Sequence, residues 1–178
     1  MQAEEAVLNQ GLVRMNRVDA QCAEREFLRC CHSTQWARNM ARERPFRFLH
    51  ELFQTADRIW WDLGPEDWRE AFQGHPQIGA ASSSFSRPKG TEHWSAEEQG
   101  DVRGTTQSVL DELQHANRAY LEKFGFTFIV CATGKSSQEI LQMLLGRLQR
   151  DREAELRTAA EEQRRITHLR LRKLLLET

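Results

Sequence analysis

Apolar side chains recur at helical spacing along most of this 178-residue chain. In the clearest case, Leu49, Phe53, Ala56 and Trp60 form an i, i+4, i+7, i+11 stripe, which is the period of an amphipathic helix. No internal repeat or low-complexity tract divides the sequence, and a chain of this length fits one core. We therefore predict an all-α fold, a single-domain helical bundle over residues 1–178.

Capping residues and helix breakers set the limits of the predicted helices. Asp19 and Ser33 are candidate N-caps, Pro45 ends a helix, and Gly125 stops another. Ser136 with Glu139 forms a capping box. The predicted helices cover about 20–31, 33–44, 46–63, 66–72, a start at 95, 105–124, 136–150 and roughly 27 residues after Asp151.

The helical pattern disappears between Gly74 and Trp94. This stretch holds three of the ten glycines and two of the four prolines. Structureless stretches longer than about 12–15 residues inside a compact domain are usually functional or disordered. We therefore predict an active-site loop over about 74–95.

His75 is the candidate for proton transfer in this loop. It lies in the turn GHPQIG, and Pro76 steers it away from helical geometry. An imidazole exchanges protons near neutral pH with little tuning. The alternative is a histidine that is simply exposed.

Glu98 and Arg170 are two further candidates, each with a plainer alternative. Glu98 follows Ser95 at capping-box spacing, so it either caps a helix or acts as an acid, a base or an acceptor facing the loop. Arg170 lies between two leucines, so its stem is expected against apolar surface while its guanidinium binds an anion. The alternative for Arg170 is a salt bridge on a helix surface.

Charge and hydropathy exclude two classes of protein. The 25 Lys and Arg residues balance 26 Asp and Glu residues for a net charge of −1, so no positive excess favours nucleic-acid binding. The mean hydropathy is −0.68, and no apolar run reaches the roughly 20 residues of a membrane span. We expect neither a nucleic-acid partner nor a membrane.

The cysteines predict neither disulfides nor a metal site. Cys22, Cys30, Cys31 and Cys131 show no paired framework, which is typical of reduced thiols in a cytosolic protein. The contiguous Cys-Cys-His at 30–32 cannot surround a tetrahedral ion from one helix, and no HxxxH or CxxC pair occurs. We expect no metal ligand.

The run ATGKSS at 132–137 is similar to the end of a phosphate-binding loop. A Walker motif needs glycine five positions before Gly134, where this chain has Ile129. Without that glycine the backbone cradle for phosphate is missing. We predict that residues 126–137 form a buried extended or irregular segment instead of a nucleotide site.

Five sequence blocks occur in a characteristic order and spacing. They are CCHSTQWARNMARERPF at 30–46, GHPQIG at 74–79, SAEEQ at 95–99, NRAYLEKFGFTFIVCATGKS at 117–136 and ITHLRLRKLL at 166–175. Together these blocks resemble one enzyme family, 2-oxo-4-hydroxy-4-carboxy-5-ureidoimidazoline (OHCU) decarboxylase, the last enzyme of urate conversion to (S)-allantoin. The resemblance covers roughly residues 8–176.

The resemblance implies an all-helical, cofactor-free and usually homodimeric enzyme, with roles for residues in four of the blocks. It makes His75 the proton donor and places Glu98 beside it or at a ring N–H. Arg170 binds an anionic group of the substrate. The remaining implied substrate contacts are Pro76, Ser95, Gln99, Phe128, Ile129, Val130, Cys131 and Ala132.

The implied reaction is loss of CO₂ into a ring C=N bond, followed by stereospecific protonation. The C-terminal sequence is not a peroxisomal signal, which favours a cytoplasmic protein. The turn reads HPQIG where animal members have HPxLAG, which affects the details of ring contacts. The rival class is a non-catalytic helical adaptor whose long C-terminal helix docks a partner.

Overall fold

The computed structural model describes residues 2–78 and 106–177, and these residues form eight helices and no β-strand. This confirms the predicted all-α class. The helices are α1 (Gln2–Arg17), α2 (Ala20–Cys30), α3 (Thr34–Arg42), α4 (Leu49–Asp62), α5 (Pro65–Gln73), α6 (Gln107–Phe124), α7 (Ser137–Arg147) and α8 (Arg152–Leu176).

The chain divides into two compact units. The first unit comprises residues 1–71 and 164–178, and the second comprises residues 72–163. Helix α8 therefore contributes its first half to the second unit and its second half to the first.

The N-terminal helix α1 was not among the predicted helices, and it packs in the first unit against the end of α8. A Cβ atom on Gly11 would lie 2.0 Å from the Leu175 carbonyl oxygen, so only glycine permits this approach. The Arg14 guanidinium donates to the Leu174 carbonyl at 2.8 Å. These contacts place the C-terminal half of α8 in the core of the first unit.

The predicted caps of α2 and α3 form as expected. Asp19 accepts the Cys22 N–H at 2.8 Å, and Ser33 accepts the Trp36 N–H at 3.2 Å. Each cap satisfies a donor that a helix start leaves without an intrahelical partner.

Helices α3 and α4 are shorter than predicted. Helix α3 ends at Arg42, and α4 begins at Leu49 instead of residue 46. The side-chain amide of Asn16 bonds both the Phe46 N–H, at 3.0 Å, and the Phe46 carbonyl, at 2.7 Å. Phe46 is therefore held by α1 and not by a helical turn of α4.

The buried face of α4 is also rotated from the predicted stripe. Leu52, Ala56, Ile59 and Trp60 are buried, whereas Leu49 and Phe53 are only partly covered. Leu52 and Ile59, which flank the predicted stripe, thus belong to the buried face itself.

The second unit contains α6 and α7. Helix α6 ends at Gly125, which has a φ of 81° that favours glycine. Ser136 and Glu139 form the predicted capping box at the start of α7. Between these helices, residues 126–135 have no regular helix or strand but are largely buried, which confirms the predicted irregular segment.

Candidate active site

The turn that carries His75 follows the end of α5 directly. The His75 N–H donates to the Phe72 carbonyl at 3.1 Å, so the turn begins as a continuation of the helix end. His75, Pro76 and Gln77 are partly exposed, while the His75 Nε2 atom is buried. The imidazole thus lies at the boundary between the interior of the second unit and its surface.

Helix α6 anchors the far side of the same turn. The Asn117 side-chain amide donates to the Ile78 carbonyl at 3.0 Å, and both residues are buried. The turn is therefore fixed at both ends, at Phe72 and at Ile78. A proton donor gains from such fixation because catalysis depends on its placement.

An aromatic cluster connects the base of this turn to the irregular segment. The rings of Phe72 and Phe126 have centroids 5.2 Å apart, and Tyr120 lies edge-on to Phe126 at 5.8 Å and to Phe128 at 5.2 Å. Aromatic edge contacts of this kind add to the burial of the rings. The turn and the predicted substrate-contact segment therefore share one hydrophobic core.

The predicted contact segment itself, residues 128–132, is nearly inaccessible except at Cys131. Phe128, Ile129, Val130 and Ala132 are all at most 5% exposed, and Cys131 is partly exposed. The Cys131 N–H donates to the Glu162 carboxylate at 2.8 Å, and the Cys131 carbonyl accepts from Lys135 at 2.7 Å. Side chains thus bind the backbone of this segment.

A buried charge cluster lies behind the same segment. The Arg147 guanidinium donates to the Ile129 carbonyl at 2.7 Å, pairs with Glu155 at 2.6 Å and lies over the Phe128 ring at 4.6 Å. The Tyr120 hydroxyl donates to Glu155, and burial raises the pKa of that hydroxyl. Tyr120 therefore stays protonated and serves as a donor within the cluster.

Arg170 lies in the first unit, on the C-terminal half of α8, and is 3% exposed. Its burial argues against the alternative of a salt bridge on a helix surface. Its charge acts on the Cys-Cys-His run at 30–32, where it lowers the pKa of all three side chains. Burial is the larger cause at each group.

The balance of these effects leaves the thiols of Cys30 and Cys31 and the imidazole of His32 neutral at pH 7. Burial raises the pKa of Cys30, and it raises the pKa of Cys31 to about 12. Burial lowers the pKa of His32 from 6.5, although Glu70 opposes the change. Arg170 therefore acts on three neutral side chains, and the Glu70 carboxylate acts on two of them, Cys31 and His32.

Not every predicted site residue can be placed. Ser95, Glu98 and Gln99 lie outside the described residues, as does most of the predicted loop over 74–95. His75 and the segment 128–132 belong to the second unit, and Arg170 belongs to the first. That His75, Glu98 and Arg170 line one pocket stays a prediction.

A family model described as OHCU decarboxylase matches residues 16–172, which is most of the sequence. The chain belongs to the OHCU decarboxylase family. This confirms the resemblance found in the five sequence blocks. The turn that carries His75 and the segment 128–132 both lie within the matched span, as does Arg170.

Individual members of the OHCU decarboxylase family and related proteins agree with this assignment. The chain is 39% identical over 158 residues to the uric acid degradation bifunctional protein TTL of Arabidopsis thaliana. It is 26% identical over 162 residues to the 2-oxo-4-hydroxy-4-carboxy-5-ureidoimidazoline decarboxylase of Haloferax volcanii, covering 90% of this chain and 93% of that protein. The match to the Arabidopsis protein covers 85% of this chain, and this chain spans only 47% of that protein's length.

A solved structure of an OHCU decarboxylase, determined in the presence of (S)-allantoin, is similar to this chain. The two align with a TM-score of 0.71 and 36% identity, covering 86% of this chain and 99% of the other. The family assignment therefore agrees with the fold as well as with the sequence.

The described part of the chain contains neither a candidate membrane span nor a candidate metal cluster. No helix within 2–78 or 106–177 is long and apolar enough to cross a membrane. In the same two ranges, no group of three or more His, Cys, Asp or Glu side chains could hold a metal ion.

Sequence reasoning missed the buried charges Arg147, Glu155 and Glu162. A signal was available, because Arg147 continues the apolar face of Ile140 and Leu144 at i+7 and i+3 spacing. A charge on an apolar face needs a buried partner. The rule does not name that partner, which the structure shows to be Glu155, a buried residue of α8.

Proposed function

We propose that this chain catalyses the decarboxylation of OHCU to (S)-allantoin, a step in urate breakdown. The observation that carries the proposal is the OHCU decarboxylase match over residues 16–172. The fixed turn at His75 supports it, because a stereospecific decarboxylase needs one well-placed proton donor. A helical adaptor would have no use for such a turn.

The substrate provides its own electron sink, so the proposed reaction uses no cofactor. The bond between the ring carbon and the carboxylate breaks, CO₂ leaves, and the electron pair forms a C=C bond to the neighbouring ring carbon while the C=N electron pair moves onto nitrogen. The nitrogen and the neighbouring carbon, which becomes the stereocentre, each gain a proton. The hydroxyl on the first carbon loses its proton and becomes a carbonyl, so one proton is taken up overall. The protein must orient the carboxylate, stabilise the displaced charge and deliver the proton to one face.

Three side chains would carry these tasks. His75 would donate the proton, Glu98 would position His75 or a ring N–H, and Arg170 would bind an anionic group of the substrate. Pro76, Ser95 and Gln99, together with residues 128–132, would form the remaining contacts. The near-complete burial of Arg170 favours this role, because a guanidinium removed from water binds an anion more strongly.

The family also suggests how the chain assembles and where it works. We propose a homodimer in the cytoplasm, with OHCU as its small-molecule ligand. Light scattering of the purified chain would measure the molar mass directly, and a monomer at micromolar concentration would contradict the dimer.

The decisive experiment supplies freshly prepared OHCU and follows the product by circular dichroism. Spontaneous decay gives racemic allantoin, so an optical signal reports catalysed protonation. We expect a dichroic signal that grows in proportion to protein concentration. Disappearance of OHCU at the spontaneous rate with no optical signal would contradict the proposed function.

A further inference from the structure

Charged side chains bind the backbone of the segment 128–132. Among the described residues, no neighbouring strand does so. Arg147 binds the Ile129 carbonyl, Glu162 binds the Cys131 N–H and Lys135 binds the Cys131 carbonyl. The three bonds are 2.7 to 2.8 Å long. Bonds with an ionised partner are about twice as strong as neutral ones, so this arrangement fixes the segment firmly.

Glu162 differs from the other two side chains in its place and surroundings. It lies on α8, 31 residues from Cys131, and is 7% exposed. A carboxylate costs free energy to bury unless its surroundings compensate. The bond from the Cys131 N–H offsets part of this cost and gives the carboxylate a structural task at Cys131.

That task is to fix the conformation of the backbone around Val130. Arg147 holds the residue before Val130 and Glu162 holds the residue after it. With both neighbours held, the peptide groups on either side of Val130 cannot rotate freely. A ligand that binds these peptide groups would therefore meet a preorganised surface.

We propose that Glu162 is a positioning residue for decarboxylation, which holds the Cys131 amide so that Cys131, the partly exposed residue of the segment 128–132, meets the substrate in a fixed conformation. This inference rests on the proposed function and on the substrate contacts expected at this segment. Glu162 acts through Cys131 and not by touching the reacting atoms.

Two substitutions separate positioning from general stability. Glu162→Met keeps a similar volume but removes the acceptor, whereas Glu162→Gln keeps an acceptor oxygen. We expect Glu162→Met to lower kcat about 10- to 100-fold with a smaller change in KM, because small misplacements are costly in catalysis. Glu162→Gln should retain most of the wild-type kcat.

Tyr120→Phe is the matched control. It removes a buried hydrogen bond to Glu155 in the same unit but leaves the bonds of Arg147 and Glu162 to the segment in place. We expect Tyr120→Phe to lower the melting temperature while kcat changes little. If Tyr120→Phe loses as much kcat as Glu162→Met, the loss follows stability and the proposal is wrong.

Hydrogen exchange at the Cys131 amide tests the proposal without using activity. We expect the amide to be protected in the wild type and in Glu162→Gln, and to exchange faster in Glu162→Asp, whose shorter side chain draws the carboxylate back. Glu162→Asp also provides a folded variant if Glu162→Met is unstable, and it should share the loss of kcat. If Glu162→Met and Glu162→Asp both keep the wild-type exchange rate of the Cys131 amide and the wild-type kcat, the inference is overturned.

The two hypotheses fail in different ways. If the wild type forms no optically active allantoin but the Cys131 amide exchanges as expected, the proposed function fails and the positioning role for this reaction fails with it. If the wild type is active and Glu162→Met has wild-type kcat, only the positioning role fails.

Discussion

Each of the two compact units contains a buried arginine, and their surroundings differ. Arg147 in the second unit is 4% exposed and pairs with a buried carboxylate, a backbone carbonyl and an aromatic ring. Arg170 in the first unit is 3% exposed, and its electrostatic effects fall on two thiols and a histidine that are neutral at pH 7. The two residues are about equally buried, but the groups on which their charges act are different.

This difference teaches that burial alone does not assign a role to a charged side chain. The charge of Arg147 is matched by Glu155 within the protein, so its role is to hold the fold of the second unit. The role proposed for Arg170 is binding of a substrate anion. Substitutions at the two positions should therefore affect different measurements.

Arg147→Met should produce the largest change in stability. It removes the guanidinium that lies 2.6 Å from the buried Glu155 carboxylate and leaves that carboxylate with the longer pair to Arg150 at 3.7 Å. Breaking a buried ion pair typically costs about 3–5 kcal/mol. The free energy of unfolding, measured in urea, should fall by that amount. Arg150→Ala is the control, because Arg150 is exposed and lies 3.7 Å from the same carboxylate. Equal stability of the two variants would contradict the structural role of Arg147.

Arg170→Lys should affect activity more than stability. Lysine keeps the charge and most of the stem but loses the fork that binds an anion at two points. We expect turnover of OHCU to fall by more than about tenfold, or about 1.4 kcal/mol of transition-state stabilisation, with little change in melting temperature.

Arg172→Lys on the same helix is the control for this substitution, since Arg172 is exposed and pairs with Glu4 at 3.3 Å. This variant should keep wild-type activity. Full activity of Arg170→Lys would reject the anion-binding role of Arg170, and neither buried arginine would then have a role in substrate binding. A parallel loss of folding and activity would assign Arg170 to structure.

His32 gives the smallest expected effect, a pH dependence in the surroundings of Arg170. Burial lowers the pKa of His32 below 6.5, with Glu70 opposing and Arg170 adding to the shift. Protonation therefore favours the unfolded chain, and the contribution of His32 to stability is present above about pH 6.5 and lost as the pH falls through its folded pKa.

The melting temperature should thus fall more steeply from pH 7 to pH 5 in the wild type than in His32→Asn. An NMR titration of His32 gives the pKa of this imidazole in the folded protein directly. A folded pKa above 6.5 would contradict the conclusion that burial keeps the His32 imidazole neutral at pH 7.

Local sequence signals predicted most of the fold. Asp19, Ser33 and Gly125 act over a few residues, so their effects on helix ends can be read from the sequence. The start of α4 was wrong by three residues because Asn16, 30 residues away, binds the Phe46 backbone. The sequence around Phe46 does not show that a distant residue binds its backbone, so such a contact cannot be predicted from local signals.

In the candidate site, too, local features could be predicted from the sequence and contacts between distant residues could not. His75 stands out because its turn is local, whereas Glu162 and Arg147 act on a segment that lies 31 and 18 residues away. Their roles depend on how α7 and α8 pack beside that segment. Spacing along one helix identifies such a charge as buried but does not name its partner.

The central claim is that His75 delivers the proton that sets the configuration of allantoin, and His75→Asn tests it most directly. Removing a positioned general acid typically costs about 10²–10⁴ in rate, while a substitution in a partly exposed turn changes stability by only about 0.5 kcal/mol. With fresh OHCU, we predict wild-type helical content for this variant and allantoin formed at close to the spontaneous rate without an optical signal. Production of optically active allantoin at the wild-type rate would contradict the account.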